Sequence, residues 1–244
     1  KHTALGRFKH EAATIHVADD GTVVAYTGDD ERFDYMYKFV SSKKIQPGNM
    51  AHNMTILDEG TLYVANLEGN SPAGEITGDG DLPQDGDFDG TGIWIPLLTA
   101  HADGTAESHV DGFTGEEVAI YTRLAADAAG ATKMDRPEDF EVNPVNGKLY
   151  VALTNNKYRG ATGENAKKNQ EDPMEYAPVK ENKNGYVLEM DDDTAGEEFT
   201  WNLLLVCGDP AANSSTYFAG FPKDKVSPIS CPDNVAFDSE GHLW

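Results

Sequence analysis

The residues with the clearest chemical potential are three carboxylates that recur at one position of a repeated pattern. Glu11 stands near the start of HEAATIHVADDGTVVAY, Glu138 near the start of PEDFEVNPVNGKLYVAL, and Asp233 near the start of PDNVAFDSEGHLW. In each segment an apolar stretch, a glycine turn and a second apolar stretch follow. Hard cations bind carboxylate oxygens, and converging carboxylates repel one another unless positive charge lies between them. We interpret the three as metal ligands, with turn capping or pairing with arginine as the alternative.

Arg136 lies two residues before Glu138, in the run KMDRPEDFE. Alternate residues of a strand point to one side, so both side chains are expected on the same face. An arginine beside cations is favourable when an anion lies between them. Phosphate suits both, because metals bind its oxygens and arginine binds it through two parallel hydrogen bonds. Pairing of Arg136 with Asp135 or Asp139 is the alternative.

Other acidic runs give weaker signals. Residues 85–90, DGDFDG, open like a calcium-binding EF-hand loop, but Pro96 occupies the twelfth position, where that loop needs glutamate. An EF-hand is excluded, and isolated calcium binding is the alternative to a plain loop. Residues 28–35, GDDERFDY, are interpreted as a charged turn, again with calcium binding as the alternative. HExxH, GxSxG and phosphate-loop patterns do not occur, which argues against a zinc hydrolase, a serine hydrolase and a nucleotide-binding loop.

β-Strands must position these residues, because strand patterns dominate the chain. Short stretches rich in Val, Tyr, Leu and Ile alternate with Gly, Asn and Asp turns, which predicts strands. The predicted strands are 22–27, 35–40, 61–65, 93–98, 148–153, 186–190 and 199–206.

One helix is predicted from Thr114 to Gly130. Thr114 and Glu117 form a capping box, and Gly130 is a stop signal. The residues expected on its apolar face are Val118, Tyr121, Ala125 and Ala128. Residues 68–92 and 155–184 are predicted to be long loops, which are usually functional or inserted.

Repeated hairpins around a centre are typical of a β-propeller, in which four-stranded blades surround a central channel. The turn glycines of the three segments are Gly21, Gly147 and Gly241, and a fourth segment from Asn53 shares a turn at Gly60 but lacks the carboxylate. Gly21 to Gly60 matches one blade of ~40 residues, and the later intervals are longer. We predict an all-β fold, a single propeller domain over residues 1–244, with about three to four blades. The propeller is expected to be incomplete at both ends, with a short inserted helix and long loops.

The charge of the chain limits its partners. Its formal net charge is −23, from 42 acidic and 19 basic residues. Such a surface repels nucleic acid, whose binding needs Lys and Arg on the phosphates, and it suits salty or extracellular water. No apolar run approaches the ~18 residues of a membrane span. We therefore expect neither nucleic-acid binding nor a membrane span.

The two cysteines, Cys207 and Cys231, form no CxxC pattern, which argues against zinc-ribbon and thioredoxin-like sites. A disulfide between them in an oxidising compartment is one alternative. Two free thiols are the other.

A series of motifs covers nearly the whole chain. They are GRFKHEAA (6–13), YTGDDERFDYMYKFVS (26–41), LDEGTLYVA (57–65), FDGTGIWIPL (88–97), KMDRPEDFE (133–141), NGKLYVALTNN (146–156) and CPDNVAFDSEGHLW (231–244). In this order they resemble PhoX-type secreted alkaline phosphatases. The resemblance implies a β-propeller that hydrolyses small phosphate monoesters, with calcium and an iron pair as cofactor. It also implies export, usually by the twin-arginine route, and thus a periplasmic or secreted protein. We expect a monomer.

By motif, the resemblance implies metal-binding carboxylates at Glu11 in KHEAA, Glu138 in RPED and Asp233 in PDN, and a phosphate-contacting arginine at Arg136. It implies metal-ion catalysis without a serine or cysteine nucleophile. The family's cysteine ligand to iron lies in an upstream segment that contains Gly and Trp, and Cys231 does not correspond to it. The chain is therefore expected to be the central part of a longer enzyme.

Two other functions stay open. Calcium-dependent propeller hydrolases of another class, such as lactonases, also place acidic and amide residues around the axis, but they lack a partnered arginine. A non-enzymatic propeller stabilised by calcium is the third function. The effect of Arg136→Ala on phosphate ester hydrolysis separates the first two, and failure to bind phosphate with calcium present favours the third.

Overall fold

The computed structural model describes residues 2–166 and 170–244. The strands are β1 His10–Val17, β2 Thr22–Asp29, β3 Met36–Lys44, β4 Gly60–Gly69, β5 Asp89–Ala100, β6 Ala106–Ser108, β7 Pro137–Val142, β8 Leu149–Leu153, β9 Tyr186–Asp192, β10 Glu198–Val206 and β11 Tyr217–Phe218. The α-helices are α1 Met50–Asn53, α2 Gly115–Ile120 and α3 Thr122–Ala129. Single 3-10 turns lie at Thr3–Leu5, Ile56–Asp58, Ala73–Glu75, Gly163–Asn165 and Lys223–Lys225.

The strands form two antiparallel meanders. The first meander is β1 to β4 and the second is β7 to β10, each strand pairing with the next. β5 lies between β4 and β10 and joins the meanders into one sheet, while β6 pairs with β5 and β11 with β10. The fold is all-β and propeller-like, as predicted. The three repeat segments lie at the starts of these two meanders and at a short turn with an isolated bridge between Phe237 and Leu243, and the number of blades stays a prediction.

Strand β2 of the first meander is buried on both faces. Val24 and Tyr26 of β2 pack into one apolar cluster with side chains of the second meander, such as Phe140. Ala25, between them, packs on the opposite face into a second cluster that includes Val118 of α2. Because neighbouring residues of a strand point to opposite faces, the continuous apolar run of β2 reflects burial between the second meander and the helices.

The predicted strands are all present, but the fourth repeat segment does not form a hairpin of its own. Asn53 ends α1, whose N-cap side chain, Asn49, accepts a hydrogen bond from the His52 N–H. The segment then reaches Gly60 through a 3-10 turn, and Gly60 begins the fourth strand of the first meander. The apolar residues before Gly60 therefore reflect a helical turn packed beside β3.

The predicted helix is wrong in its continuity. The capping box of Thr114 and Glu117 forms with both hydrogen bonds, but α2 and α3 are separated at Tyr121. The buried Thr122 hydroxyl donates to the Val118 carbonyl at 2.8 Å, and such back-bonding bends helices. Tyr121 is consequently 52% exposed rather than on the apolar face. Ala128 is exposed as well, while Val118 and Ala125 are buried as expected.

Both predicted long loops exist, although the ends of the first belong to β4 and β5. The second follows β8 and precedes β9, and its residues 167–169 lie outside the described part. Arg159 anchors this second loop, because its fully buried side chain binds Asp135. Cys207 is buried and Cys231 exposed, and both are free thiols. Within the described residues, no helix is long and apolar enough to cross a membrane.

Candidate active site

The first strands of the two meanders, β1 and β7, lie side by side. The Thr14 hydroxyl donates a hydrogen bond to the carbonyl of Phe140 across them. Both strands have an irregular register at their start, between Glu11 and Thr14 in β1 and between Pro137 and Phe140 in β7. The repeat seen in the sequence therefore corresponds to two equivalent strand starts. We call the surface that these starts share the rim.

A close backbone contact brings the meanders together at the rim. Gly28, near the end of β2, pairs with Glu11. A β-carbon added to Gly28 would lie 2.0 Å from the carbonyl oxygen of Pro137. Glycine permits this approach because any other residue would collide with the backbone. The residues that follow β2 thus lie beside the start of β7.

Arg136 joins two carboxylates at the rim. Its Nη2 lies 2.6 Å from Glu138 Oε1 and 2.7 Å from Asp30 Oδ1. The Arg136 and Glu138 side chains share one side of the chain, as predicted, but they pair directly, which is the alternative to a metal ligand for this carboxylate. Arg136 has a φ of 60°, a left-handed conformation that costs a non-glycine residue about 1–3 kcal/mol. Backbone strain of this kind clusters at functional sites.

The carboxylates around Arg136 are incompletely satisfied. Glu138 is only 3% exposed. Its buried Oε1 and the buried Oδ1 of Asp30 have no hydrogen-bond partner, although each lies close to Arg136 Nη2. Burial raises the pKa of the Glu138 carboxyl to about 7; the charges of Asp30 and Asp233 add to the rise, while Thr154 and Arg136 oppose it. Positive charge beside Glu138 would favour its ionised carboxyl.

Asp233 approaches the rim from the third repeat segment. The Thr154 hydroxyl, directly after β8, donates to the Pro232 carbonyl at 2.7 Å and so fixes the residue before Asp233. Cys231 has a φ of 54° and lies two residues before Asp233. Arg136 likewise has a left-handed φ and lies two residues before Glu138. The Asp233 side chain is exposed, and its charge acts on Glu138.

Glu11 lies at the same rim, in an exposed position opposite Gly28. In the described ranges, no three His, Cys, Asp or Glu side chains are grouped closely enough to hold one metal ion, and this includes residues 85–90. The structure thus joins Arg136 to Glu138, places Asp233 near them, and leaves Glu11 exposed on the same rim opposite Gly28. The metal-binding roles of the three carboxylates and the phosphate contact of Arg136 stay predictions.

Arg136 does not pair with the acidic residues beside it. Asp135 accepts a hydrogen bond from Arg159 Nε at 2.9 Å. Asp139 accepts one from the Val235 N–H, also at 2.9 Å. Asp135 and Asp139 therefore bind other groups, and the Arg136 side chain contacts residues of the rim instead.

The sequence interpretation missed Asp30, Arg32 and Asn155. Asp30 directly follows β2, and Asn155 lies two residues after the end of β8. In an antiparallel hairpin the second strand ends beside the start of the first, so residues that follow the second strand return to the carboxylate of the first. Applied to each repeat, this rule would have identified both residues.

Comparisons with known proteins identify the family of the chain. The chain matches a family model described as alkaline phosphatase PhoX over residues 1–244. It is also similar to the solved structure of Pseudomonas fluorescens PhoX in complex with vanadate, a transition state analogue, with 39% sequence identity and a TM-score of 0.76. That match covers 100% of this chain and 39% of the other. Among curated proteins no significant match was found.

Proposed function

The chain belongs to the PhoX alkaline phosphatase family, and from this premise we propose that it supplies the metal- and phosphate-binding centre of a phosphomonoesterase. Such an enzyme releases inorganic phosphate from small phosphate esters. One observation carries the proposal. Two buried carboxylate oxygens beside Arg136 have no hydrogen-bond partner, and these are Asp30 Oδ1 and Glu138 Oε1. Such oxygens suit hard cations, and the adjacent guanidinium suits an anion bound to those cations.

Calcium fits this donor set. Glu138 and Asp30 offer buried oxygens, Asp233 adds a nearby carboxylate, and Glu11 adds one on the same rim. Calcium prefers carboxylate and carbonyl oxygens. When bound, metal ions polarise a phosphoryl oxygen and make a nucleophile available near neutral pH. An accompanying iron pair is proposed from the family resemblance.

Arg136 is proposed to bind and orient the phosphate group. A guanidinium stays protonated throughout the working pH range and offers planar donors that match phosphate oxygens. Without cations, Arg136 is the nearest positive charge to Glu138 and Asp30. With these carboxylates neutralised by bound cations, the Arg136 guanidinium would be free to bind the anionic substrate. Arg136 and the metal ions therefore belong to one binding unit.

The surroundings of the enzyme are proposed from its charge and family. A surface with a net charge of −23 remains well solvated in salty water. Together with the family resemblance, this supports a periplasmic or secreted enzyme that acts as a monomer on small phosphate esters.

Two measurements on the full-length protein test the proposal. The first is elemental analysis for calcium and iron after exhaustive dialysis. The second is hydrolysis of an aryl phosphate by the wild type, by Arg136→Ala and by Arg7→Ala, a control that removes an exposed arginine. We expect both metals, a fall in kcat/KM of at least ~100-fold for Arg136→Ala, comparable to losing one transition-state donor, and no change for Arg7→Ala.

The outcomes separate the competing functions. Calcium without iron, together with an insensitive Arg136→Ala variant, would favour a calcium-dependent propeller hydrolase of another class. Absence of both metals would contradict the assignment of Glu11, Glu138 and Asp233 as ligands. Absence of phosphate binding with calcium present would favour a non-enzymatic propeller.

A further inference from the structure

Arg32 differs from the other arginines of the chain in how its charge is compensated. Arg123, Arg136 and Arg159 each bind a carboxylate. The side chain of Arg7 is exposed to solvent. Arg32 is partly buried, and none of the ion pairs among the described residues includes it. Carboxylates outnumber cationic side chains in this chain, by 42 to 19. A partly buried arginine without a carboxylate partner therefore indicates that its counter-ion is an anion that does not belong to the protein.

Neutral groups hold the Arg32 side chain in place. Its Nη2 donates to Asn155 Oδ1 at 2.6 Å, and its guanidinium carbon lies 5.5 Å from the centre of the Tyr158 ring. Its Nε is buried without a hydrogen-bond partner. An amide and an aromatic ring orient a guanidinium without neutralising it. The side chain is thus preorganised, and its positive charge is retained.

Two separate segments place Arg32 next to the rim. Asp30, two residues earlier, contacts Arg136, and the backbone of Arg32 forms an antiparallel bridge with Asp135, the residue before Arg136. Asn155, which orients Arg32, directly follows Thr154, whose hydroxyl binds the Pro232 carbonyl beside Asp233. Arg32 therefore lies beside the candidate site.

We propose that Arg32 is a second phosphate-binding guanidinium, which acts with Arg136 on the phosphate group of the ester and on the inorganic phosphate product. This inference rests on the proposed function and adds a binding residue to it. Phosphate offers several oxygens, so two guanidinium groups can bind it together with metal ions. The same contacts made to substrate and product affect binding more than the chemical step. Arg32 is accordingly expected to influence KM more than kcat.

Calorimetric titration with inorganic phosphate tests this role independently of hydrolysis. The metal-loaded, full-length protein is compared with Arg32→Gln, Arg32→Lys and Arg7→Gln, and the last of these removes the same charge from an exposed site. We expect Arg32→Gln to weaken phosphate binding at least ~10-fold, the effect of ~1.4 kcal/mol. Arg32→Lys should restore only part of the affinity, because lysine lacks the planar fork. Arg7→Gln should bind like the wild type.

Each outcome decides the inference. Unchanged affinity in Arg32→Gln at native thermal stability overturns the role of Arg32 and leaves the proposed function standing. Binding that depends on Arg32 in a protein without phosphatase activity supports the anion site and overturns the proposed function. A wild type that binds no phosphate overturns both. If Arg32→Gln does not fold, the phosphate-induced rise in Tm of Arg32→Lys decides, and a rise equal to that of the wild type contradicts the proposal.

Discussion

Gly28 and Pro137 are in direct backbone contact, and this contact sets the distance between the two meanders at the rim. A β-carbon on Gly28 would lie 2.0 Å from the Pro137 carbonyl oxygen and 2.7 Å from the carbonyl carbon. Asp30 follows two residues after Gly28, and Arg136 precedes Pro137. The ion pair between Asp30 and Arg136, at 2.7 Å, therefore depends on the absence of a side chain at Gly28.

We predict that Gly28→Ala disrupts both the fold and the site. The new methyl group must displace backbone, and overpacking of this kind costs about 1–3 kcal/mol. Because the displacement falls between the segments that carry Asp30 and Arg136, phosphate binding should weaken as well. Gly74→Ala is the matched control, since no atom lies within 4 Å of its added β-carbon. Chemical denaturation and phosphate titration of both variants check this prediction, and equal stability of the two would contradict it.

We predict that Glu138→Gln has opposite effects on metal content and on the stability of the metal-free protein. Burial raises the pKa of this carboxyl to about 7, so above that pH the folded protein without a cation holds an ionised buried carboxylate at a cost in stability. A neutral amide removes this penalty, and the Tm of the metal-free variant at pH 8 should rise. Bound calcium should fall, because a buried oxygen ligand loses its charge.

Glu141→Gln provides the control for Glu138→Gln. Glu141 lies on the same strand, and burial also raises its pKa. Elemental analysis after dialysis should show the wild-type metal content in Glu141→Gln. Wild-type calcium in Glu138→Gln would show that Glu138 is not a ligand.

The predictable parts of this fold are those that depend on residues close together in the sequence. Continuous apolar stretches and glycine turns located the strands. The capping box of Thr114 and Glu117 forms as its spacing indicates. That Arg136 and Glu138 share one side was predictable from their spacing, whereas their direct pairing also depends on the left-handed backbone of Arg136, just before β7.

The remainder of the site depends on pairing between distant segments. Asp30 belongs to a run that reads as a charged turn, and nothing in that run indicates that Arg136, more than a hundred residues later, lies against it. Arg32 and Asn155 are likewise brought together by the packing of two meanders. The break at Tyr121 was missed because it arises from a buried threonine hydroxyl, Thr122, within an otherwise helical pattern.

Lys38 and Asp192 form a buried ion pair that connects the two meanders. Lys38 Nζ lies 3.0 Å from Asp192 Oδ1 and donates to the Gly196 carbonyl at 2.8 Å. The Trp94 indole N–H and the Tyr26 hydroxyl also donate to Asp192. Burial lowers the pKa of Lys38, and the neighbouring Asp192 opposes this effect.

We predict that Lys38→Met destabilises the protein by about 3–5 kcal/mol, because it leaves a buried carboxylate without its counter-ion. The double variant Lys38→Met/Asp192→Asn should recover part of this loss, since no buried charge remains. Lys44→Met on the same strand removes an exposed lysine paired with Asp20 and should change little. Urea denaturation measures all three, and a Lys38→Met variant as stable as Lys44→Met would contradict the prediction.

The buried carboxyl of Asp34 makes the folded protein less stable as the pH rises from about 4 to about 7. Burial raises the pKa of its carboxyl from 3.8 to about 7, and Asp29 adds to this rise. The folded protein therefore holds the proton more tightly than the unfolded chain. This contribution to stability is complete below pH ~4, is lost as the pH rises towards 7, and stays absent above it.

We therefore predict that Asp34→Asn raises the Tm at pH 8 by roughly 2–4 °C, the shift that ~1 kcal/mol causes in a chain of this size. Below pH ~4 the carboxyl is protonated in both states, so the variant and the wild type should melt together. Asp19→Asn, which removes an exposed carboxylate, should show no such pH-dependent difference. Thermal unfolding from pH 4 to pH 8 decides the matter: a stabilisation that is constant across this range would show that the Asp34 carboxyl titrates alike in the folded and unfolded chains.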